Sequence, residues 1–182
     1  MKDLTHVKRI TITALFTAVI FVTTSFIKFP ITLGYVHVGD VFILLGSYML
    51  PLPFAILSAS IGSMLADLLA GYVIYMPITF VAKGLMALVA SLLFYKKASL
   101  LRYVIGALVS SLVMVVCYFV FEGFVYGWGM AVANLPMQFI QPAIAVSIAG
   151  IMIFAFKKVP YVNRLKEEIA IKPLKRVPKN EK

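Results

Sequence analysis

Residues 41 to 70 read VFILLGSYMLPLPFAILSASIGSMLADLLA, and this stretch decides the fold. Asp67 is its only charged residue. A membrane-spanning helix needs about 17 to 25 apolar residues, so the stretch is either one long kinked helix or two shorter ones. Pro51 and Pro53 interrupt it, and proline kinks or breaks a helix. The sequence therefore predicts a break near Pro51.

The composition of the whole chain indicates a bilayer environment. Hydrophobic residues make up 62% of the 182 residues and charged residues 13%, whereas soluble domains carry about 25% charged residues. The mean hydropathy is +1.00. The net charge of +10 does not indicate nucleic-acid binding, because the basic residues flank apolar runs, as the positive-inside rule describes for membrane proteins.

The basic residues also predict the number of crossings. Further apolar runs cover about residues 10–27, 77–95, 100–121 and 132–156. Basic clusters lie before residue 10 (Lys2, Lys8, Arg9), between residues 95 and 103 (Lys96, Lys97, Arg102) and after residue 156. All three should be cytoplasmic, so an even number of spans precedes Lys96 and residues 41–70 must cross twice. We predict an all-α integral membrane protein with six transmembrane helices and both termini cytoplasmic.

This topology divides the chain into a cytoplasmic N-terminus (1–9), a six-helix membrane domain (10–156) and a basic cytoplasmic tail (157–182). The first arm of the predicted hairpin, about residues 39–50, is short for a span. It must start in the preceding loop, tilt or be shielded by neighbouring helices.

Polar and aromatic residues concentrate in the three predicted outer connections, residues 28–40, 71–76 and 122–131. They are Tyr35, His37, Asp40, Tyr72, Tyr75, Glu122, Tyr126 and Trp128. The inner turns are short or basic. This asymmetry predicts a binding pocket that faces outward.

Two charged residues fall within the predicted spans. Lys83 lies about six residues into the fourth helix, and a lysine at such depth usually faces a cavity or a partner. Alternatively, its ammonium group snorkels to the outer interface. Asp67 lies near the outer end of the third helix, and a salt bridge to Lys83 would lower the cost of both charges.

Three amides in the sixth helix share one face. Asn134, Gln138 and Gln141 follow an i, i+4, i+7 spacing. Each amide both donates and accepts hydrogen bonds, which suits a heteroaromatic ligand with ring nitrogens and hydroxyls. The alternative is hydrogen bonding between helices. We assign Asn134 and Gln138 to a substrate site and regard the deeper Gln141 as more structural.

The segment Tyr35-Val-His37-Val-Gly-Asp40 precedes the second helix. Asp40 is expected to cap that helix as its N-cap residue, and His37 to contact a ligand or act as a gate. Glu122, at the outer interface, is either solvated or part of the site. Trp128, between two glycines, is our first choice for stacking on a planar ligand, although an aromatic belt also explains it.

Several kinds of chemistry are missing from the sequence. It contains no Walker A motif, nucleophile elbow or HExxH motif. No second His or Cys stands at metal-ligand spacing from His37. We therefore expect no enzyme, cofactor or metal site, and active uptake would need an external motor.

Four segments together resemble the substrate-specific S components of energy-coupling factor (ECF) vitamin transporters. They are Ala14-Leu-Phe-Thr-Ala18, residues 35–40, Gly-Ser-Met-Leu-Ala-Asp67-Leu-Leu-Ala-Gly-Tyr72 and Pro77-Ile-Thr-Phe-Val-Ala-Lys83-Gly84. The likeness covers residues 11–156 and is greatest to the hydroxymethylpyrimidine and pyridoxine group, near the riboflavin-type S components.

The resemblance implies a binding subunit of a bacterial cell membrane that captures a vitamin from outside. It would dock on a membrane-embedded coupling subunit, the T component, which carries two ATP-binding-cassette ATPases, and would reorient to release its ligand inward. Small residues at Ala14 and Ala18 would form the docking face. Tyr35, His37 and Asp40 would belong to a lid loop. The implied substrate-binding residues are His37, Lys83, Trp128, Asn134 and Gln138.

Two other hypotheses remain open at this point. A self-sufficient carrier driven by protons would use Asp67 and Glu122 as its proton-carrying acids. An S component for riboflavin would need a larger pocket, which sequence alone does not measure.

Overall fold

The computed structural model describes residues 2–94 and 99–170. Its helices are α1 (Lys2–Phe26), α2 (Gly39–Met49), α3 (Leu52–Leu69), α4 (Met76–Phe94), α5 (Leu100–Tyr126), α6 (Trp128–Lys157) and α7 (Pro160–Ile169). Two short strands, β1 (Lys28–Pro30) and β2 (Tyr35–His37), lie between α1 and α2. A 3-10 helix, Val73–Tyr75, leads into α4.

The predicted break near Pro51 is confirmed. The second helix ends at Met49, and the third begins at Leu52. Pro51 is the N-cap residue of α3, and Pro53 follows in the first turn, where a missing N–H group costs no helical hydrogen bond. Residues 41–70 therefore form a helical hairpin.

Among the described residues, five helices are long and apolar enough to cross a membrane: α1, α3, α4 with its preceding turn, α5 and α6. The remaining apolar helix, α2, has 11 residues and is about 16 Å long, roughly half the thickness of a hydrocarbon core. It packs against α1, α3, α4 and α6, and all of its residues except Phe42 are buried. The short arm is thus shielded by its neighbours.

Small residues bring the helices together. Ala59, Ala82, Ala87 and Ala149 are almost completely buried, and small side chains let helix backbones approach closely in a membrane. At Gly62 an added Cβ atom would lie 2.8 Å from the Thr17 carbonyl oxygen. The α1–α3 contact therefore requires glycine at this position.

The end of the bundle that carries the two strands is called here the pocket end. Residues 28–37, expected as a loop, form an antiparallel hairpin in which Lys28 pairs with His37 and Pro30 with Tyr35. Gly34 closes its turn with a φ of 81°, a conformation that glycine adopts without steric cost.

The connection predicted over residues 122–131 is wrong. Helix α5 continues to Tyr126 and α6 starts at Trp128. Gly127 alone separates them, with a φ of 90°. A single glycine in this region of backbone space reverses the chain, so no loop is needed.

The opposite end, called here the basic end, carries the N-terminus and α7. Arg9 donates hydrogen bonds to the carbonyl oxygens of Ile169 (2.8 Å) and Ala170 (2.9 Å). Lys8 pairs with Glu168 at 2.7 Å. The first part of the predicted tail therefore contains a helix, α7, that binds α1 through these contacts. Lys96, Lys97 and residues 171–182 lie outside the described residues.

Candidate functional site

A cavity of about 60 Å³ lies at the pocket end, beneath the β1–β2 hairpin. Residues from the hairpin, from α3 to α6 and from the segment between α3 and α4 line it. The polar, charged and tyrosine residues of this lining are Tyr35, His37, Asp67, Tyr72, Tyr75, Thr79, Lys83, Tyr118, Glu122, Asn134, Gln138 and Gln141. Of the eight polar and aromatic residues that the sequence placed in the outer connections, five line this one cavity: Tyr35, His37, Tyr72, Tyr75 and Glu122.

An ion pair forms one side of the site. The Lys83 ammonium group lies 2.6 Å from Asp40 Oδ1, and their side chains are 1% and 0% exposed. Gln141 Nε2 donates to Asp40 Oδ2 at 2.5 Å. The pair joins α2, α4 and α6 through buried side chains.

This ion pair corrects two sequence predictions. Asp40 does not cap α2, because Val38 is the N-cap residue and makes no side-chain capping bond. Lys83 pairs with Asp40 rather than with Asp67. Snorkelling is also excluded for Lys83, because its side chain is buried. Helix α2 passes through the middle of the bundle, which places Asp40 opposite α4.

Glu122 is the centre of a second network. It accepts hydrogen bonds from Asn134 Nδ2 (3.1 Å to each carboxyl oxygen), Gln138 Nε2 (2.7 Å) and the Tyr75 hydroxyl (3.4 Å). Glu122 is 2% exposed, so it is not a solvated interface residue. The shared face predicted for the three amides of α6 is confirmed, since all three are buried and line the cavity.

The same amides hold the hairpin in place. Asn134 accepts from Leu33 N (3.4 Å) and donates to the Leu33 carbonyl oxygen (3.3 Å). Gln141 Oε1 accepts from His37 N at 3.2 Å. These contacts are not predictable from the sequence, because an amide side chain does not indicate which distant backbone group it will bind.

A cluster of tyrosines covers the opposite wall. The Tyr35 hydroxyl donates to Asp67 Oδ1 at 2.6 Å. Burial and the neighbouring Asp67 carboxyl raise the pKa of Tyr35 well above its usual value, so its hydroxyl stays protonated and can donate. The rings of Tyr35 and Tyr72 lie 5.2 Å apart, and those of Tyr72 and Tyr75 6.0 Å apart.

Tyr118, Thr79 and Met114 also line the cavity and were not predicted. The Tyr118 hydroxyl donates to Thr79 Oγ1 at 3.0 Å. Tyr118 precedes Glu122 by four residues, and this spacing on one helix was the available signal. This signal is weak in the sequence because Tyr118 lies within the apolar run of residues 100–121.

Trp128 does not line the cavity, which corrects its expected role in stacking on a ligand. It is 50% exposed and lies against Phe119 and Phe124, with ring centroids 5.7 and 5.6 Å away. The backbone turn at Gly127 directs it to the outside of the bundle. Tyrosines are therefore the aromatic residues available to a ligand in this cavity.

Ala14 and Ala18 both lie exposed on α1. They are one helical turn apart and therefore share a face. Their side chains leave that face accessible to another helix. The small-residue surface predicted from the sequence is thus present on the outside of the bundle.

His37 connects the hairpin to α2. It is 7% exposed, and its Nδ1 accepts a hydrogen bond from Gly39 N at 3.1 Å. Burial, and then the nearby positive charge of Lys83, lower the pKa of His37 from 6.5 to about 3. The imidazole is therefore neutral at physiological pH.

Acidification from pH 7.5 to pH 5 is expected to destabilise the protein through His37. The unfolded chain takes up a proton below its pKa of 6.5, whereas the folded chain does so only near 3. The stabilisation is complete above pH 6.5 and is lost as the pH falls, by up to about 2 kcal/mol at pH 5. Chemical unfolding of the purified protein in detergent at both pH values measures this difference.

His37→Asn supplies the control, because the Asn oxygen can still accept from Gly39 N. This variant should lose less stability on acidification than the wild type, whereas His6→Asn should behave like the wild type. An unchanged pH dependence in His37→Asn would contradict the assignment.

Comparison with known proteins finds a matching family model and relatives of similar length. A family model for the ECF-type riboflavin transporter, S component, matches residues 4–158. The thiamine precursor transporter HmpT of Lactococcus lactis subsp. cremoris (strain MG1363) is 31% identical over 158 residues, covering 84% of this chain and 89% of HmpT. An uncharacterised protein of Pyrococcus woesei is 28% identical over 139 residues, covering 75% of this chain and 93% of that protein.

One solved structure shares the fold. The S component of a bacterial ECF transporter superposes with a TM-score of 0.68 at 21% sequence identity. The match covers 87% of this chain and all of the other. The arrangement of helices is therefore common to both.

Proposed function

Because this chain belongs to the S component family of ECF-type transporters, we propose that it captures hydroxymethylpyrimidine, a precursor of thiamine, from outside the cell. It has no ATPase of its own and delivers the ligand by reorienting on a membrane-embedded coupling subunit that carries two ATP-binding-cassette ATPases. The site of action is the cytoplasmic membrane of a bacterium.

The cavity beneath the hairpin is the observation that carries this proposal. Its lining combines carboxyl, amide, imidazole and tyrosine groups, which are the groups that recognise a polar aromatic ring. Its volume of about 60 Å³ favours a ligand with one ring over the three fused rings of riboflavin. The HmpT relative, named as a thiamine precursor transporter, supports the same class of ligand.

The remaining roles follow from this function. His37, Lys83, Asn134 and Gln138 form the binding site, and the hairpin with Tyr35 and His37 is the lid. Asp40, which follows the hairpin at the start of α2, fixes the end of the lid segment through its ion pair with Lys83. Six crossings with both termini cytoplasmic would place the pocket end outside, which ligand capture requires. Ala14 and Ala18 form the docking face for the coupling subunit.

Riboflavin is the second candidate ligand, because the matching family model is named for it. Its accommodation would require the hairpin and the tyrosine cluster to move apart. A binding measurement separates the two candidates directly.

We expect the purified chain alone to bind hydroxymethylpyrimidine with submicromolar affinity and to bind riboflavin and pyridoxine at least 100-fold more weakly. Isothermal titration calorimetry in detergent is the appropriate measurement, since Trp128 lies outside the cavity and would report poorly on binding. Tighter binding of riboflavin or pyridoxine, or no binding of hydroxymethylpyrimidine by protein that unfolds cooperatively, would contradict the proposal.

A further inference from the structure

The hydrogen-bond donors around the Glu122 side of the cavity are already used within the protein. Asn134 Nδ2 and Gln138 Nε2 both donate to the Glu122 carboxyl group. The Tyr75 hydroxyl does the same, and the Tyr35 hydroxyl donates to Asp67. A ligand therefore finds few free donors here.

Acceptors are left over at the same place. Gln138 Oε1 and Asp67 Oδ2 have no hydrogen-bond partner among the described residues. Their residues are 8% and 6% exposed and both line the cavity. A buried acceptor without a donor destabilises the protein, so these oxygens would gain from a ligand that brings N–H or O–H groups.

The partners of the buried carboxyl groups also indicate that hydrogen-bond donors are scarce around the cavity. Asp40 has a cationic partner in Lys83. Glu122 also lines the cavity, yet its hydrogen-bond donors within the described ranges are the amides of Asn134 and Gln138 and the Tyr75 hydroxyl. A carboxylate without a cationic partner favours a ligand with strongly polarised donors, because charge-assisted hydrogen bonds are the stronger ones.

We propose that Glu122 and Gln138 Oε1 form a subsite that reads the exocyclic amino group of the ligand, while Asp67 Oδ2 accepts from a second donor such as its hydroxymethyl group. This inference rests on the proposed function and goes beyond it. It attributes the selectivity for the ligand to whether the ligand donates or accepts hydrogen bonds at this ring position. An amino group offers two N–H donors to neighbouring acceptors. A carbonyl oxygen at the same ring position would face the Glu122 carboxyl group, acceptor against acceptor.

The test compares two ligands of nearly the same shape. They are 4-amino-5-hydroxymethyl-2-methylpyrimidine and its 4-oxo analogue, titrated calorimetrically into the detergent-purified chain. We expect the wild type to bind the amino compound at least 100-fold more tightly, since a site built to hydrogen-bond a donor strongly rejects the analogue that lacks it. Binding of both compounds within threefold would overturn the subsite while leaving the proposed function intact.

The Glu122→Gln variant tests whether the preference for the amino compound depends on this one residue. A glutamine can turn an N–H donor toward the carbonyl oxygen, so the amino/oxo affinity ratio should fall at least tenfold. Glu168→Gln, on α7 at the opposite end, should keep the wild-type ratio. An unchanged ratio in Glu122→Gln would show that Glu122 does not read the amino group, and failure of the wild type to bind either compound would overturn both the subsite and the proposed function.

Discussion

Lys83→Met is expected to destabilise the fold by about 3–5 kcal/mol, because removing one partner leaves the other charge buried and unpaired. The Asp40 carboxyl group is fully buried; it would keep its hydrogen bond from Gln141 but lose its ion-pair partner. Methionine is similar to lysine in length and apolar, so little packing volume is lost. The free energy of unfolding in detergent measures the effect.

Lys8→Met is the matched control. Lys8 also pairs with an acid, Glu168, at 2.7 Å, but the two side chains are 50% and 35% exposed. Exposed ion pairs contribute about 0–1 kcal/mol, so this variant should stay close to the wild type. The double variant Lys83→Met with Asp40→Leu should recover much of the lost stability, since no unpaired charge remains. Equal losses in Lys83→Met and Lys8→Met would refute the buried ion pair.

Local patterns in the sequence predicted the parts of the fold that local physics determines. The prolines at 51 and 53 and the parity of the basic clusters predicted the α2–α3 hairpin. The spacing of Asn134, Gln138 and Gln141 predicted a common face, because helical periodicity alone decides which side chains point together.

Choices between distant partners were beyond the sequence. The sequence offered Asp67 as the partner of Lys83, and only the passage of α2 through the bundle places Asp40 there instead. The direction of Trp128 depends on one backbone angle at Gly127, which no composition pattern encodes. The contact of Asn134 with the Leu33 backbone joins residues 101 positions apart, a separation at which helix periodicity carries no information.

The β1–β2 hairpin, which is the proposed lid, is held by side chains that also line the cavity. Asn134 and Gln141 hold the hairpin backbone, and Tyr35 holds it to Asp67. Opening the hairpin must break these hydrogen bonds, which frees amide and carboxyl groups at the moment when a ligand could enter. Ligand entry and lid movement are therefore expected to be coupled through α6.

Ala14→Trp combined with Ala18→Trp is expected to abolish uptake of hydroxymethylpyrimidine while leaving its binding unchanged. Both alanines lie exposed on α1, and close helix approach depends on small residues at the contact. Two indole rings would keep a coupling subunit at a distance. Neither alanine lines the cavity, so calorimetric affinity should stay within about threefold of the wild type.

Uptake is measured in cells that express the chain with its coupling subunit and ATPases, together with copurification of the coupling subunit. Ala143→Trp supplies the control, since Ala143 is also exposed but lies on α6, away from the proposed docking face on α1; this variant should retain uptake. Uptake that survives in the double variant would place the docking face elsewhere. Loss of uptake together with loss of ligand affinity would instead indicate damage to the fold, because α1 packs directly against α2 and α3.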